Sequence, residues 1–316
     1  MMSRCPHCGQ THGADSHFCT VTGQALDLGP RLIGQVLLDR YEVKTLVGEG
    51  PFGAVLRGVD RTSGSDVAIK MLHPRFARDQ AAVDRFLDDS RKAGGLGHPN
   101  IVVVLDVGRD SAGAPIVVRE YFDGVSLAKL LRRKGPLEEP VACWIAGRIL
   151  AGLAAAHEAG FVNGDVTPDD VFLATSPSGE PTVKVLDFGE AHLKQASGEG
   201  VPDKGKAYKA PEQVRSGIVS ELSDIYAVGA ILYEMVAGRA AYPDGVPPAP
   251  QVIPVPPSPS SIRPGLNRKL DILVRRAMSL LPTDRYRTAA SFAEALAPFV
   301  PARPPAIDLS EPPRGT

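Results

Sequence analysis

Apolar and polar residues alternate from Tyr41 to Val47, as they do in a strand with one buried face. A glycine-rich turn follows and leads into a second short apolar run at residues 54–56. A third run, VAIKML, occupies residues 67–72. Runs of this length, separated by turn residues, predict a sheet in the first part of the chain.

Helical spacing replaces this alternation after Pro136, where apolar residues recur every three or four positions as far as Gly160. The same period returns between Asp224 and Val236, and Gly238 marks the end of that helix. A last helix is predicted from about Thr288 to Pro298. The chain is therefore predicted to be α+β, with a small β-rich lobe followed by a larger helical lobe.

Composition bears on the possible partners. The chain has 316 residues, 43% of them hydrophobic, and 35 basic against 36 acidic residues give a net charge of -1. This balance argues against a nucleic-acid partner or a membrane-surface partner. The start of the chain has no apolar signal-like segment, and the longest apolar stretch, residues 225–238, is too short to cross a bilayer. We therefore expect a soluble, cytoplasmic protein.

Three of the four cysteines lie in the first nineteen residues, which favours metal binding over disulfides. Cys5 and Cys8 form a CxxC pair suited to one zinc ion, and Cys19 follows. Thr22 stands where a second CxxC pair would have its last cysteine, so a histidine must complete the site. His17 is the predicted fourth ligand, with His12 and His7 as alternatives, and a disordered tail with incidental cysteines remains possible. Cys143 is interpreted as a core residue.

A GxGxxGxV pattern at residues 48–55 lies between two predicted strands. Its glycines, Gly48, Gly50 and Gly53, would let backbone N–H groups approach phosphate oxygens. Alone, the pattern is equally compatible with an ordinary hairpin. What makes it specific is the order of the motifs that follow, which are VAIK ending at Lys70, HPNIV at 98–102, EYFDG at 120–124, GDVTPDD at 164–170, DFG at 187–189, APE at 210–212 and DIY at 224–226.

This series resembles the eukaryotic-like Ser/Thr protein kinases of bacteria over residues 40–298. The resemblance implies a two-lobed protein-kinase fold that binds ATP with Mg²⁺ and acts on a protein partner or protein substrate. It makes Lys70 the cation for the α- and β-phosphates and Asp187 a Mg²⁺ ligand. The adenine would lie under Val55 and Ala68, against a hinge whose residues include Glu120 and Phe122.

The loop at 163–170 departs from the family pattern HRDxKPxN. Asp165 keeps its place as the candidate catalytic base, but Asn163 and Gly164 replace the histidine and arginine. Thr167 replaces a lysine, and the loss of such a donor to a developing charge commonly costs about 10²–10³ in rate. Asp170 replaces an asparagine and could still ligate Mg²⁺ through oxygen.

The resemblance places two further substitutions near Lys70 in the fold. Asp89 stands where the family has a helix glutamate that pairs with this lysine, and Arg119 stands behind the adenine. A charge in that apolar place is costly without a partner. We therefore hypothesise that Arg119 reaches Asp89 and leaves Lys70 free or bound to Asp187.

The segment directly before APE reads KGKAYK and lacks the family's threonine. Between Asp187 and Glu212, the one Ser or Thr is Ser197. Switching by phosphorylation there is predicted to be lost. Glu212 with Arg285 matches a buried ion pair of the family, and Asp224 matches the carboxylate that supports the loop backbone.

The resemblance and its departures favour a pseudokinase that acts as a regulatory or scaffold module, with a slow Ser/Thr kinase and another transferase as alternatives. Residues 243–264 hold nine prolines, which excludes a regular helix there; they form either a surface loop or a PxxP ligand. The predicted organisation is a partial zinc ribbon at 1–28, a linker at 29–39, an N-lobe at 40–122, a C-lobe at 123–300 and a disordered proline-rich tail at 301–316.

Overall fold

The computed structural model of the chain describes residues 19, 21, 28–49, 53–73, 76, 79–110, 113–176, 179–190, 205–247 and 253–309. The chain divides into two compact units. Unit 1 comprises Met1–Gly95, Val103–Tyr121 and Phe188–Pro202, and unit 2 comprises Leu96–Val102, Phe122–Asp187 and Asp203–Thr316. Two segments, 96–102 and 188–202, belong to the unit that their position in the sequence does not suggest.

Unit 1 is built on an antiparallel six-stranded sheet in the order β1-β2-β3-β4-β6-β5. Its strands are β1 (Val36–Leu37), β2 (Tyr41–Glu49), β3 (Gly53–Asp60), β4 (Asp66–Leu72), β5 (Val104–Arg109) and β6 (Pro115–Glu120). The predicted strands at 41–47, 54–56 and 67–72 are confirmed as parts of β2, β3 and β4. Their two-residue period sends alternate side chains to opposite faces of the sheet.

One face of this sheet forms an apolar core with Leu56, Ile69 and Val118, which are all fully buried. Helix α1 (Leu28–Leu32) precedes β1, so the segment predicted as a linker at 29–39 carries regular structure. The reason is that Leu32 and Leu37 bury their side chains in the same core.

Helix α2 (Gln80–Gly94) packs on the opposite face. Asp79 caps it by accepting a hydrogen bond from the Ala82 backbone N–H at 3.0 Å. Phe86 and Leu87 lie on its buried side, together with Val117 from β6. The helical period of these apolar residues therefore fixes the face that α2 presents to the sheet.

Unit 2 is mainly helical. Its helices are α3 (Leu127–Lys134), α4 (Glu139–Glu158), α5 (Pro211–Ser216), α6 (Glu221–Ala237), α7 (Pro259–Ile262), α8 (Arg268–Ala277) and α9 (Ala289–Leu296), with short 3₁₀ turns at Lys206–Tyr208, Pro282–Asp284 and Ala297–Phe299. The predicted stop signals are confirmed, since Gly160 and Gly238 follow α4 and α6 with φ of 81° and 77°. Thr288 is the N-cap of α9.

Helix α4 is long and apolar enough to cross a membrane, but 61% of its most apolar window is buried inside the protein. Cys143 lies on it and is fully buried, as predicted, and burial raises the pKa of its thiol to about 12. The environment is therefore that of a core helix of unit 2, not of a reactive cysteine.

A second sheet in unit 2 has the order β7-β8-β9, with β7 (Gly124–Ser126), β8 (Val171–Thr175) and β9 (Pro181–Val185). The segment at 96–102 belongs to unit 2 because Val102 donates its backbone N–H to Val185 at 3.1 Å. This small sheet places the two loops that flank it, 163–170 and 186–187, beside each other.

The prediction of no regular helix in the proline-rich segment is wrong for Pro259–Ile262, which form the short helix α7. Proline is tolerated in the first turn of a helix, so α7 can start at Pro259. Two carbonyls of the segment, on Pro254 and Pro257, accept hydrogen bonds at 2.8 Å from the hydroxyls of Tyr242 and Tyr233. The segment is thus attached to its own unit at two points, which favours the surface-loop interpretation. In the proline-rich tail, Asp308 pairs with Lys134 on α3, so residues 301–309 are placed against unit 2.

Candidate active site

Three predicted nucleotide-binding side chains share one face of the sheet in unit 1. Val55 pairs with Lys70 across β3 and β4, and Ala68 precedes Lys70 by two positions, so all three point to the same side. This is the face on which α2 packs. The period of the strands alone brings together the residues predicted to face the adenine and the lysine predicted to bind phosphate.

The glycine loop is described in part. Gly53 must remain a glycine, because a Cβ there would lie 2.0 Å from the Met71 carbonyl oxygen. At Gly48 an added Cβ would meet nothing within 4 Å. Gly50 lies outside the described residues, so the phosphate-binding role of the loop stays a prediction.

Lys70 is held by an acidic residue that the sequence analysis missed. Its Nζ contacts Oε1 of Glu190, and the two side chains are 11% and 7% exposed. Lys70 is therefore not free, contrary to one of the predicted possibilities. The signal was in the sequence, since Glu190 directly follows DFG, but no spacing rule links it to position 70.

Arg119 lies in β6 directly opposite Ala68, on the face that carries Lys70. It is 7% exposed, which agrees with a side chain held inside the unit. The predicted contact with Asp89 stays a prediction. The side chain of Glu120, next in the chain, accepts the backbone N–H of Val103 at 2.8 Å.

Phe122 is the first residue of the second segment of unit 2. Its ring lies 5.1 Å from Nζ of Lys184, a cation–π distance. Its role in reading the adenine stays a prediction, as does that of Glu120.

The loop at 163–170 is held in unit 2 by its backbone. Asp224 accepts the N–H groups of Asn163 at 3.0 Å and of Gly164 at 2.7 Å. Gln213 donates its side-chain amide to the Gly164 carbonyl at 2.7 Å. The predicted support by Asp224 is confirmed, and Gln213 is a second contact that the sequence did not reveal.

Gly164 has φ of 75°, a backbone conformation that glycine adopts without strain. Asp165, which follows it, is 9% exposed and donates its backbone N–H to Oδ1 of Asn163 at 3.1 Å. Asn163 therefore orients the turn that presents the candidate base.

Thr167 occupies the place of the missing lysine and contacts Asp170. Its hydroxyl donates to Oδ2 of Asp170 at 2.7 Å, and its backbone N–H donates to the same oxygen at 3.0 Å. The threonine thus supplies neutral donors to this carboxylate, where the family pattern has a cation.

The second candidate metal ligand lies close to the first in the fold. Asp170 immediately precedes β8, Asp187 follows β9, and the Leu186 N–H donates to the Asp170 carbonyl at 2.8 Å. Asp187 has φ of 59°. A left-handed conformation is uncommon for a residue with a side chain and is often found at functional positions.

The zinc prediction rests largely on residues that the structure does not describe. Cys5, Cys8 and His17 lie outside the described residues, and Cys19 is buried. Across the described ranges, no group of three or more His, Cys, Asp or Glu side chains is placed to hold a metal. The zinc site stays a prediction.

A cavity of about 450 Å³ adjoins the loop in unit 2. Its lining residues are Ala128, Leu131, Arg132, Gly135, Thr167, Pro168, Asp169, Tyr208, Glu234 and Gly238. Tyr208 donates its hydroxyl to Oε2 of Glu234 at 2.5 Å. Burial raises the pKa of Glu234, the hydrogen bond from Tyr208 lowers it, and the negative charge of Asp169 raises it.

Known proteins resemble this chain in sequence and in fold. The protein kinase domain family matches residues 41–251 of the chain. The chain belongs to this family. The protein kinase fold accounts for the strand-rich unit 1, the helical unit 2 and the order of the motifs.

Individual relatives agree. A probable serine/threonine-protein kinase of Corynebacterium efficiens is 34% identical over 82% of this chain and 41% of its own length. Serine/threonine-protein kinase PknB of Mycobacterium tuberculosis is 34% identical over 80% of this chain and 42% of its own length. The crystal structure of the M. tuberculosis PknI kinase domain superposes with a TM-score of 0.69 at 26% identity, covering 85% of this chain and 100% of that one. The chain thus spans about two fifths of the length of these two kinases.

Proposed function

We propose that this protein kinase family member is a signalling protein in which phosphoryl transfer is disabled, a pseudokinase that acts on a protein partner as a regulatory or scaffold module. One observation carries the proposal. Thr167 stands where the loop's cation would stand, and both its hydroxyl and its backbone N–H are bonded to Asp170. At position 167 the loop therefore has neutral donors, both already bonded to Asp170, where a transferring phosphoryl group needs positive charge.

The residues present fit a nucleotide with Mg²⁺. Magnesium prefers oxygen ligands, and Asp170 and Asp187 lie beside the same small sheet. Lys70 would bind the α- and β-phosphates from the face that it shares with Val55 and Ala68. When bound, the metal–nucleotide pair would supply an activated phosphoryl group. What remains for the chain is binding and orientation, which survive the loss of the cation.

A slow Ser/Thr kinase is the second candidate, and the position of Asp165 favours it. Its backbone turn is fixed by Asn163 and by the bonds of Asp224 to the preceding N–H groups. A carboxylate held in this way can accept the proton of a substrate hydroxyl. The names of the relatives, which are Ser/Thr kinases, support this alternative.

The two candidates differ in one measurement. We expect ATP with Mg²⁺ or Mn²⁺ to raise the melting temperature, and we expect labelled phosphate to transfer neither to the chain itself nor to generic protein substrates. Asp165→Asn is the matched variant, since it removes the candidate base and keeps the shape of the side chain. Transfer by the wild-type chain that disappears in this variant would establish the kinase and refute the pseudokinase.

A further inference from the structure

The contact between Lys70 and Glu190 is a buried ion pair within unit 1. The side chains are 11% and 7% exposed, so water solvates neither charge well. A buried ammonium is costly without a counter-charge, and the same holds for a buried carboxylate. Each charge therefore offsets part of the desolvation cost of the other.

The backbone around Glu190 is docked on helix α2. Ser90 on this helix donates its hydroxyl to the Phe188 carbonyl at 3.2 Å. Gly189 has φ of 89°, and a Cβ added there would lie 3.0 Å from Cβ of Asp89 and 3.3 Å from the Phe86 carbonyl oxygen. The chain is thus pressed against α2 immediately before it presents Glu190 to Lys70.

Lys70 itself is fixed at the other end by strand β4, where it pairs with Val55 on one side and Val117 on the other. A lysine stem has four rotatable bonds, so a strand position alone does not set the place of its ammonium group. The Glu190 carboxylate supplies that second point of attachment.

From this geometry we propose that Glu190 is a positioning residue for Lys70, the counter-charge that keeps its ammonium on the nucleotide-facing side of the sheet. The consequence of this inference for nucleotide binding rests on the proposed function. The position of the Lys70 ammonium group, the predicted phosphate-binding cation, would then depend on Glu190, which directly follows DFG. The ion pair itself is independent of any ligand.

A double-mutant cycle tests the pair without nucleotide. Lys70→Met and Glu190→Gln each remove one charge, and each is expected to lower the folding equilibrium constant by about 10²–10³, since one buried charge then lacks its counter-charge. The double variant should lose much less than the product of the two effects. Independent, multiplicative losses in urea unfolding would refute the ion pair.

Nucleotide affinity then tests the positioning role. Glu190→Gln should weaken binding of ATP by about tenfold, since the cation is no longer held in place. Glu190→Asp should recover part of the loss, and it also serves if Glu190→Gln does not fold. Asp88→Asn is the matched control, because Asp88 is an exposed acid on α2 that pairs with Lys92. Its affinity should be unchanged.

The outcomes separate this inference from the proposed function. Tighter ATP binding by Glu190→Gln would mean that the carboxylate competes with phosphates, and the positioning role would be wrong. If the wild-type chain binds no nucleotide, the nucleotide part of the proposed function fails, whereas Lys70 labelling still decides about Glu190. An amine-reactive reagent should modify Lys70 several-fold faster in Glu190→Gln than in Asp88→Asn, since an ammonium that has lost this neighbouring carboxylate releases its proton more readily. Equal rates would refute the inference.

Discussion

Two sets of polar residues lie close together in unit 2 and follow different rules. The framework set, Asp224, Glu212 and Arg285, holds charged groups at positions where the resemblance to the kinase pattern predicts them. The loop set, Thr167 and Asp170, holds a neutral donor and an acid where that pattern predicts a lysine and an asparagine. The two sets meet at the loop, where Asp224 holds the backbone that carries the loop set.

The difference follows from the groups with which the residues of each set form hydrogen bonds or ion pairs. Framework residues satisfy buried backbone groups or buried charges, so their loss leaves polar atoms without partners and lowers the free energy of unfolding. Thr167 and Asp170 bond to each other within the loop, so we expect their exchange to alter the chemistry of the loop more than the stability of the fold. Selection for a folded protein would therefore preserve the first set even where turnover is lost.

The framework pair of Glu212 and Arg285 is expected to give the largest effect. The guanidinium donates to both carboxylate oxygens, at 2.6 and 2.7 Å, and the Arg285 side chain is 0% exposed. Glu212→Gln should lower the free energy of unfolding by about 3–5 kcal/mol, measured by urea denaturation, because a buried cation loses its counter-charge. Asp66→Asn is the control, as it breaks an exposed ion pair with Arg57 and should cost less than about 1 kcal/mol. Equal losses in the two variants would abolish the distinction between framework and surface pairs.

Asp224 belongs to the framework set and contacts the loop, and its substitution is expected to lower the free energy of unfolding by a smaller amount. An asparagine there keeps one acceptor oxygen, but its NH₂ group cannot accept the second backbone N–H. Asp224→Asn should therefore cost about 1–3 kcal/mol in urea denaturation and should speed hydrogen exchange at Asn163 and Gly164. Asp244→Asn, which removes a fully exposed carboxylate, should change neither quantity. Unchanged exchange at both amides would show that other contacts hold the loop.

The sequence predicted the parts of this fold that local periodicity determines. Strands β2, β3 and β4 and the ends of α4 and α6 all follow from two- or 3.6-residue repeats and from glycine conformations. The support of the loop by Asp224 came from the resemblance, motif by motif. These features are local or tied to short motifs, so one sequence was enough.

The remaining features depend on contacts between distant parts of the chain. Glu190 lies 120 positions from Lys70, and no spacing pattern connects them. Helix α1 and strand β1 are short and gain stability from burying Leu32 and Leu37 in the core of unit 1, so weak local signals did not reveal them. The same reason explains why Gln213 was not predicted to bond to Gly164.

The smallest expected effect on stability comes from the ionisation of Glu234, which lines the cavity beside the loop. Burial and the charge of Asp169 raise its pKa above the ordinary carboxyl value, and the hydrogen bond from Tyr208 lowers it in part. The folded state then binds this proton more tightly than the unfolded state does. The stabilisation is complete below the unfolded pKa and is lost as the pH rises through the folded one.

Glu234→Gln should remove this contribution, so the free energy of unfolding of the variant should fall less than that of the wild type as the pH rises above the ordinary carboxyl value. The glutamine oxygen can still accept the Tyr208 hydroxyl, so the cavity wall should keep its shape. Tyr208→Phe should act in the opposite direction, because removal of the donor that favours the carboxylate leaves burial and Asp169 to raise the pKa further. Urea denaturation at several pH values measures both slopes. Parallel curves for wild type and Glu234→Gln would mean that burial and Asp169 do not raise the pKa of this carboxylate in the folded state.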